Sequence, residues 1–125
     1  MKLQPDQFNA PFISAYEPGW IAVNGEKYTG ALIVSSEHGC SAWTVGHFDS
    51  LQADDFLALV PSRPELVVFG SGARLRFPRP LWLAPLMQLG IGVETMDTAA
   101  ACRTYNILAS EGRRVVAALL PTDVA

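Results

Sequence analysis

The stretch "GIGVETMDTAAACRTYNILASEGRRVVAALL", residues Gly90–Leu120, decides the fold. Its opening, Ile91–Met96, is short and largely apolar, which reads as a strand. Beyond it the apolar period changes from two to 3.6. Ala101, Cys102, Tyr105, Leu108 and Ala109 fall on one face of a predicted helix. Asp97 or Thr98 is placed to cap the start of that helix, and Gly112 suits the left-handed position just past its end. "RRVVAALL" then closes as a β-branched and apolar strand. Strand, helix, strand is the repeating unit.

Moving towards the N-terminus, the same alternation continues. "ELVVFG" (65–70) is a fully apolar short strand. "RPLWLAPLMQLG" (79–90) has Leu83, Leu86 and Met87 at helical spacing, Pro80 near its start and Gly90 near its end. Pro85 conflicts with that helix unless the helix kinks or starts there. Nearly continuous apolar strands separated by helices imply a parallel sheet covered on both faces, with right-handed crossovers. The chain is therefore predicted to be α/β, with a β-rich N-terminal addition.

That addition is read from its turns. Runs at Trp20–Val23 and Tyr28–Val34 flank Asn24-Gly25, the pair that suits a type I′ hairpin. A further strand is expected over Cys40–Val45. A short helix follows from about Ala53 to Leu59, ended by Pro61 and Pro64.

A chain of 125 residues suits one domain spanning 1–125, and half its residues are hydrophobic with only 17% charged. That composition excludes disorder. The net charge of −3 and the lack of any basic run longer than Arg113-Arg114 argue against nucleic-acid binding by phosphate neutralisation. Cys40 and Cys102 match no metal or redox spacing and read as reduced, mostly buried side chains; the sharper alternative is a nucleophile with His38 or His47 as its base. Both histidines lie near turns and read as surface residues. Trp20, Trp43 and Trp82 read as core or interface fillers. The N-terminus, "MKLQPDQFNAPF", looks like neither a secretory signal nor a transit peptide, and the longest apolar run is far short of a membrane span. The expectation is a soluble, cytoplasmic chain that does not insert in a membrane.

Ligands of open parallel sheets bind beyond the carboxyl ends of the strands. Two loops should meet there: Gly70-Ser71-Gly72 and Met96-Asp97-Thr98. The first resembles the start of a dinucleotide loop, yet Leu75 stands where a third small residue belongs, and "ARLRFPRP" separates the loop from the next helix. A Walker A loop is excluded, because its Gly-Lys-Ser/Thr end is absent. What remains is a turn with backbone donors and with Arg74, Arg76 and Arg79 nearby, either a structural turn or an anion site. Asp97 is either the helix cap or a ribose-binding acid. Glu94 lies on a strand expected to be buried on both faces, where it pairs with Arg103 or Arg114 or else acts as an acid or base. The candidate binding residues are thus Gly70, Ser71, Gly72, Arg74, Glu94, Asp97 and Thr98. No catalytic constellation, metal cluster or cofactor motif is visible.

Three segments, "VNGEKYTGALIV", "PELVVFGSGARLRF" and "GIGVETMDTAAACRTYNILASEGRRVVAALL", together resemble the Mth938-like (DUF498/NDUFAF3) family over residues from about 9 to 121. The most specific part holds Asp97-Thr98, Tyr105-Asn106 and Glu111-Gly112-Arg113, while Gly70-Ser71-Gly72 is a mild variant of a family loop that often reads Gly-Thr-Gly. The resemblance implies a compact three-layer α/β fold with a central mixed, mostly parallel sheet and an extra β layer. It implies no established catalytic residues. Its mitochondrial relatives are complex I assembly factors that act through protein contacts. The expected role is a non-enzymatic interaction or assembly factor with a protein partner. The competing reading is an anion or nucleotide-like small-molecule binder, or an enzyme, using the crevice between the 70–74 and 96–98 loops. A homodimer through an apolar patch at Trp82 or Phe77 is compatible with either.

Overall fold

The computed structural model describes residues 10–123. The reading of the first residues as neither signal nor transit peptide lies largely outside them.

Three N-terminal strands, β1 (Ile13–Glu17), β2 (Trp20–Val23) and β3 (Glu26–Thr29), form an antiparallel sheet in that order. Asn24 (φ 50°) and Gly25 (φ 85°) make the β2–β3 turn with positive φ at both central residues, as the Asn-Gly pair predicts. The run expected to continue unbroken to Val34 divides instead. Gly30 (φ 80°) turns the chain, and β4 (Leu32–Ser35) joins a second sheet. β5 (Gly39–Ala42) pairs with β4 and ends earlier than the predicted Val45. The short helix α1 (Ala53–Leu57) starts where expected but ends two residues before the expected Leu59, and a 3-10 turn at Val60–Ser62 follows where the prolines begin.

β6 (Leu66–Gly70), helix α2 (Pro80–Gln88), β7 (Gly92–Met96), helix α3 (Thr98–Ser110) and β8 (Val115–Leu119) complete the chain. The second sheet has the order β5-β4-β8-β6-β7. Its β6–β7 and β6–β8 pairs are parallel and its β4 pairs antiparallel, so the sheet is mixed. Pro85 does lie inside α2; it leaves the Leu81 carbonyl without its helical donor.

Alternation along β8 explains why that strand reads as one apolar run. Val115, Ala117 and Leu119 enter a core shared with α3, β1 and β2. Val116, Ala118 and Leu120 enter a second core with α1, α2 and the segment around Trp43 and Phe48. The three layers are therefore α3 with the small sheet, the five-stranded sheet, and α1 with α2. In the second core Trp43 meets Phe56 and Phe69 edge to face, at centroid separations of 5.7 and 6.1 Å. Such pairs contribute about 1 kcal/mol each beyond the area they bury.

The position of β7 corrects one expectation. It is an edge strand, so Glu94 is exposed rather than buried on both faces. No ion pair joins it to Arg103 or Arg114. Arg103 donates instead to the Tyr16 hydroxyl at 2.7 Å, and Arg114 to the Arg63 carbonyl.

A candidate site at the carboxyl edge of the sheet

β6 and β7 run parallel, so the loops that follow them leave on the same side. They are locked together by a dense set of hydrogen bonds. The Ser71 amide donates to the Met96 carbonyl at 2.9 Å, and the Thr98 amide to the Gly72 carbonyl at 3.0 Å. The Gly72 amide donates to Thr98 Oγ1 at 2.9 Å, and that hydroxyl donates in turn to the Leu120 carbonyl at 2.7 Å. The Leu120 amide closes the set on the Gly70 carbonyl at 2.9 Å. Three chain segments thus meet at one fully buried threonine.

The arrangement accounts for each residue type. A Cβ on Gly70 would lie 2.9 Å from Thr98 Oγ1 and 3.1 Å from Thr98 Cα, so only glycine admits this approach. Gly72 has a φ of 103°, which a side chain would strain. Ser71 is buried, and its Oγ donates to the Arg74 carbonyl at 2.7 Å and accepts from the Arg76 amide at 3.0 Å. Asp97 is the N-cap of α3 and accepts from the Ala100 amide at 2.9 Å. Thr98 is the first residue of the helix, not its cap.

These hydrogen bonds bear on anion binding. A phosphate cradle needs backbone N–H groups with no other partner, pointing at the ligand. Here the amides of Ser71, Gly72, Thr98 and Ala100 are all engaged. Arg74 is exposed and does not line the crevice beside the loop. Arg76 pairs with Asp49 at 2.8 Å and lies over the Phe48 ring, and Arg79 lies over Trp82. The Arg76 and Arg79 side chains are thus engaged away from the loop.

A crevice of about 370 Å³ does open beside it. Its walls are Gly72 and Ala73 from the first loop, Ala99 from α3, Tyr16, Glu17 and Pro18 from the β1–β2 turn, and Thr122. Of the candidate residues the structure brings Gly70, Ser71, Gly72, Asp97 and Thr98 together. Only Gly72 lines the crevice, and Glu94 and Arg74 lie outside it.

The remaining polar chemistry is structural in form. Burial pushes the Cys102 thiol up to about 12, and burial also raises Cys40, so neither thiol is poised as a thiolate. His38 and His47 are exposed. Among the described residues no cluster of three histidine, cysteine or acidic side chains could hold a metal ion, and no helix is long and apolar enough to cross a membrane.

Sequence reasoning gave Asn106 no role of its own. Its side chain accepts from the Ile13 amide at 3.0 Å and donates to the Ile13 carbonyl at 2.9 Å, tying β1 to α3. The available signal was spacing: Thr98, Cys102 and Asn106 recur every four residues on the buried stripe of α3, and a polar residue there must be bonded.

A parallel–antiparallel sheet with helices on both sides and a separate small sheet defines a specific class of small α/β protein. Residues 13–120 match the family described as a protein of unknown function, DUF498/DUF598. The chain belongs to that family. It is 34% identical over 125 residues to the NADH dehydrogenase [ubiquinone] 1 alpha subcomplex assembly factor 3 of Xenopus tropicalis, covering 98% of this chain and 68% of the relative. The human protein of the same name is 35% identical over 121 residues, covering 95% of this chain and 65% of its own length. The chain thus spans about two thirds of these relatives. Among solved structures, a Bordetella pertussis protein described as a Mth938-like domain superposes with a TM-score of 0.84 at 33% identity, over 100% of this chain and 95% of that one.

Proposed function

We propose that this chain is a non-enzymatic interaction factor of the cytoplasm that assists assembly of an NADH dehydrogenase; of these properties the assembly role alone is what its relatives are named for. One observation carries the reading. No charged residue occurs from Pro80 to Val93, yet of the residues of α2 only Leu86 is buried. Leu81 is 80% exposed, and Phe77 in the loop that enters the helix is 70% exposed. A helix that is apolar on every side is normally covered. Exposed apolar side chains of this kind fit contact with another protein.

The test is genetic and biochemical. Deletion of the gene in a cell that makes the NADH dehydrogenase should reduce the assembled complex on native gels. The wild-type chain should restore it and Leu81→Asp should not. Normal assembly in the deletion strain would overturn the proposal.

The crevice between Gly72, Ala99 and the β1–β2 turn favours a second reading, a small and largely uncharged ligand. A ligand present at about 100 times its dissociation constant adds about 2.7 kcal/mol of stability. A thermal-shift screen of uncharged metabolites against anions separates the two chemistries.

A further inference from the structure

Among the described residues the outer edge of β7 is unpaired, and its chemistry says what kind of chain would close it. In a strand, the N–H and C=O of one residue point to the same side, and the side alternates. The Gly92 amide donates to the Glu65 carbonyl, and the Met96 carbonyl accepts from the Ser71 amide. Gly92, Glu94 and Met96 therefore direct their backbone groups to β6. Val93 and Thr95 direct theirs outward, and among the described residues no strand pairs with them.

The two faces beside this edge differ. Val93 packs on the core that contains α2, and Met96 on the core that contains α3. On the Val93 side a groove of about 410 Å³ runs between α2 and the edge, lined by Leu83, Met87, Gly90, Ile91, Gly92 and Val93. It holds no charged group. On the opposite face stands Glu94, exposed and with no ion pair among the described residues.

We propose that β7 is a docking edge for an extended segment of a partner protein in which apolar and basic residues alternate. The added strand continues the five-stranded sheet through the backbone groups of Val93 and Thr95. Its apolar side chains enter the Leu83–Met87 groove, and its basic side chains face Glu94. Backbone bonds supply affinity in this mode, and alternate side chains supply specificity. A second copy of the chain fits poorly. Antiparallel β7–β7 pairing that matches Val93 to Thr95 places Glu94 directly opposite Glu94, at about 4.5–5.5 Å, where like charges repel. This inference rests on the protein-contact reading above. It is tested on purified protein, so failure of the edge and failure of the assembly role are separately visible.

The probe is a blocked peptide, Thr-Val-Lys-Val-Lys-Val-Thr, titrated into isotope-labelled protein and followed by amide chemical shift and hydrogen exchange. The expected result is a shift and slowed exchange at Val93 and Thr95. A peptide with glutamate in place of lysine should bind at least about tenfold more weakly, a difference of about 1.4 kcal/mol. Glu94→Lys, an exposed change, should invert that preference, and Met87→Glu should weaken both peptides. Perturbation confined to other strands would overturn the proposal, as would equal binding of an N-methylated peptide or an unchanged preference in Glu94→Lys. Protection of Val93 and Thr95 that grows with protein concentration alone would assign the edge to a second copy instead.

Discussion

The side-chain amide of Asn106 holds both backbone groups of Ile13, accepting from its N–H at 3.0 Å and donating to its C=O at 2.9 Å across 93 residues of sequence. Ile13 is fully buried, so water is not available to replace either bond. Each orphaned buried group costs about 1–3 kcal/mol. Asn106→Leu should therefore destabilise the protein by about 2–4 kcal/mol in urea unfolding. Asn106→Asp keeps the acceptor but loses the donor to the Ile13 carbonyl, and it places a carboxylate at a nearly buried position. It should be no better than leucine near neutral pH. A loss under 1 kcal/mol for both variants would show that the small sheet is held by its apolar face alone.

Thr98 makes the corresponding clamp at the carboxyl edge. Thr98→Val keeps the shape and removes the hydroxyl, leaving the Gly72 amide and the Leu120 carbonyl without partners. The expected cost is about 2–4 kcal/mol by the same reasoning. Thr98→Ser retains both bonds and loses one methyl, so it should cost about 1 kcal/mol. The separation between valine and serine, measured by denaturant midpoint, is the quantity that reports the clamp.

Gly70→Ala probes the same contact from the other side. The added Cβ would meet Thr98 Oγ1 at 2.9 Å, Leu119 Cδ2 at 3.0 Å and Thr98 Cα at 3.1 Å. The leucine tip can yield, but the backbone of a helix N-terminus cannot. Overpacking of this kind typically costs about 1–3 kcal/mol. Combined with Thr98→Ser the cost should not simply add, because the two residues touch.

Local chemistry in the sequence made much of this fold legible. The Asn24-Gly25 turn, the apolar β6 and β8 runs, and the Asp97 cap with Gly112 beyond α3 all follow from residues within one element. Strand order does not. β7 reads much as a buried strand does, and nothing local states that it ends the sheet, which is why Glu94 was expected to be buried and paired. The division of residues 28–34 between two sheets is similarly a long-range result, decided by where β4 finds β8. The candidate loops were placed together by topology alone. Their bonding could not be read, because it depends on Leu120 arriving from the end of the chain.

Alkaline unfolding should expose the last of these buried groups. Burial raises the Cys102 thiol from 9.0 to about 12, and it raises the Tyr105 hydroxyl as well. Both groups are neutral when protonated, so the folded chain holds these protons more tightly than the unfolded chain. The Cys102 contribution is complete below about pH 9 and is lost as pH rises from there towards 12, whereas that of Tyr105, whose ordinary value is 10.0, starts to be lost only above about pH 10. Each such proton steepens the fall by up to about 1.4 kcal/mol per pH unit. Urea midpoints should be flat from pH 7 to 8.5 and then decline. Cys102→Ala should start lower, because a buried side chain is truncated, but should decline less steeply by about one proton. An identical slope in both proteins would show that Cys102 does not carry the alkaline transition and would leave it to the other raised groups: Tyr105, whose hydroxyl donates to the Pro11 carbonyl at 2.8 Å, Tyr28 and Cys40.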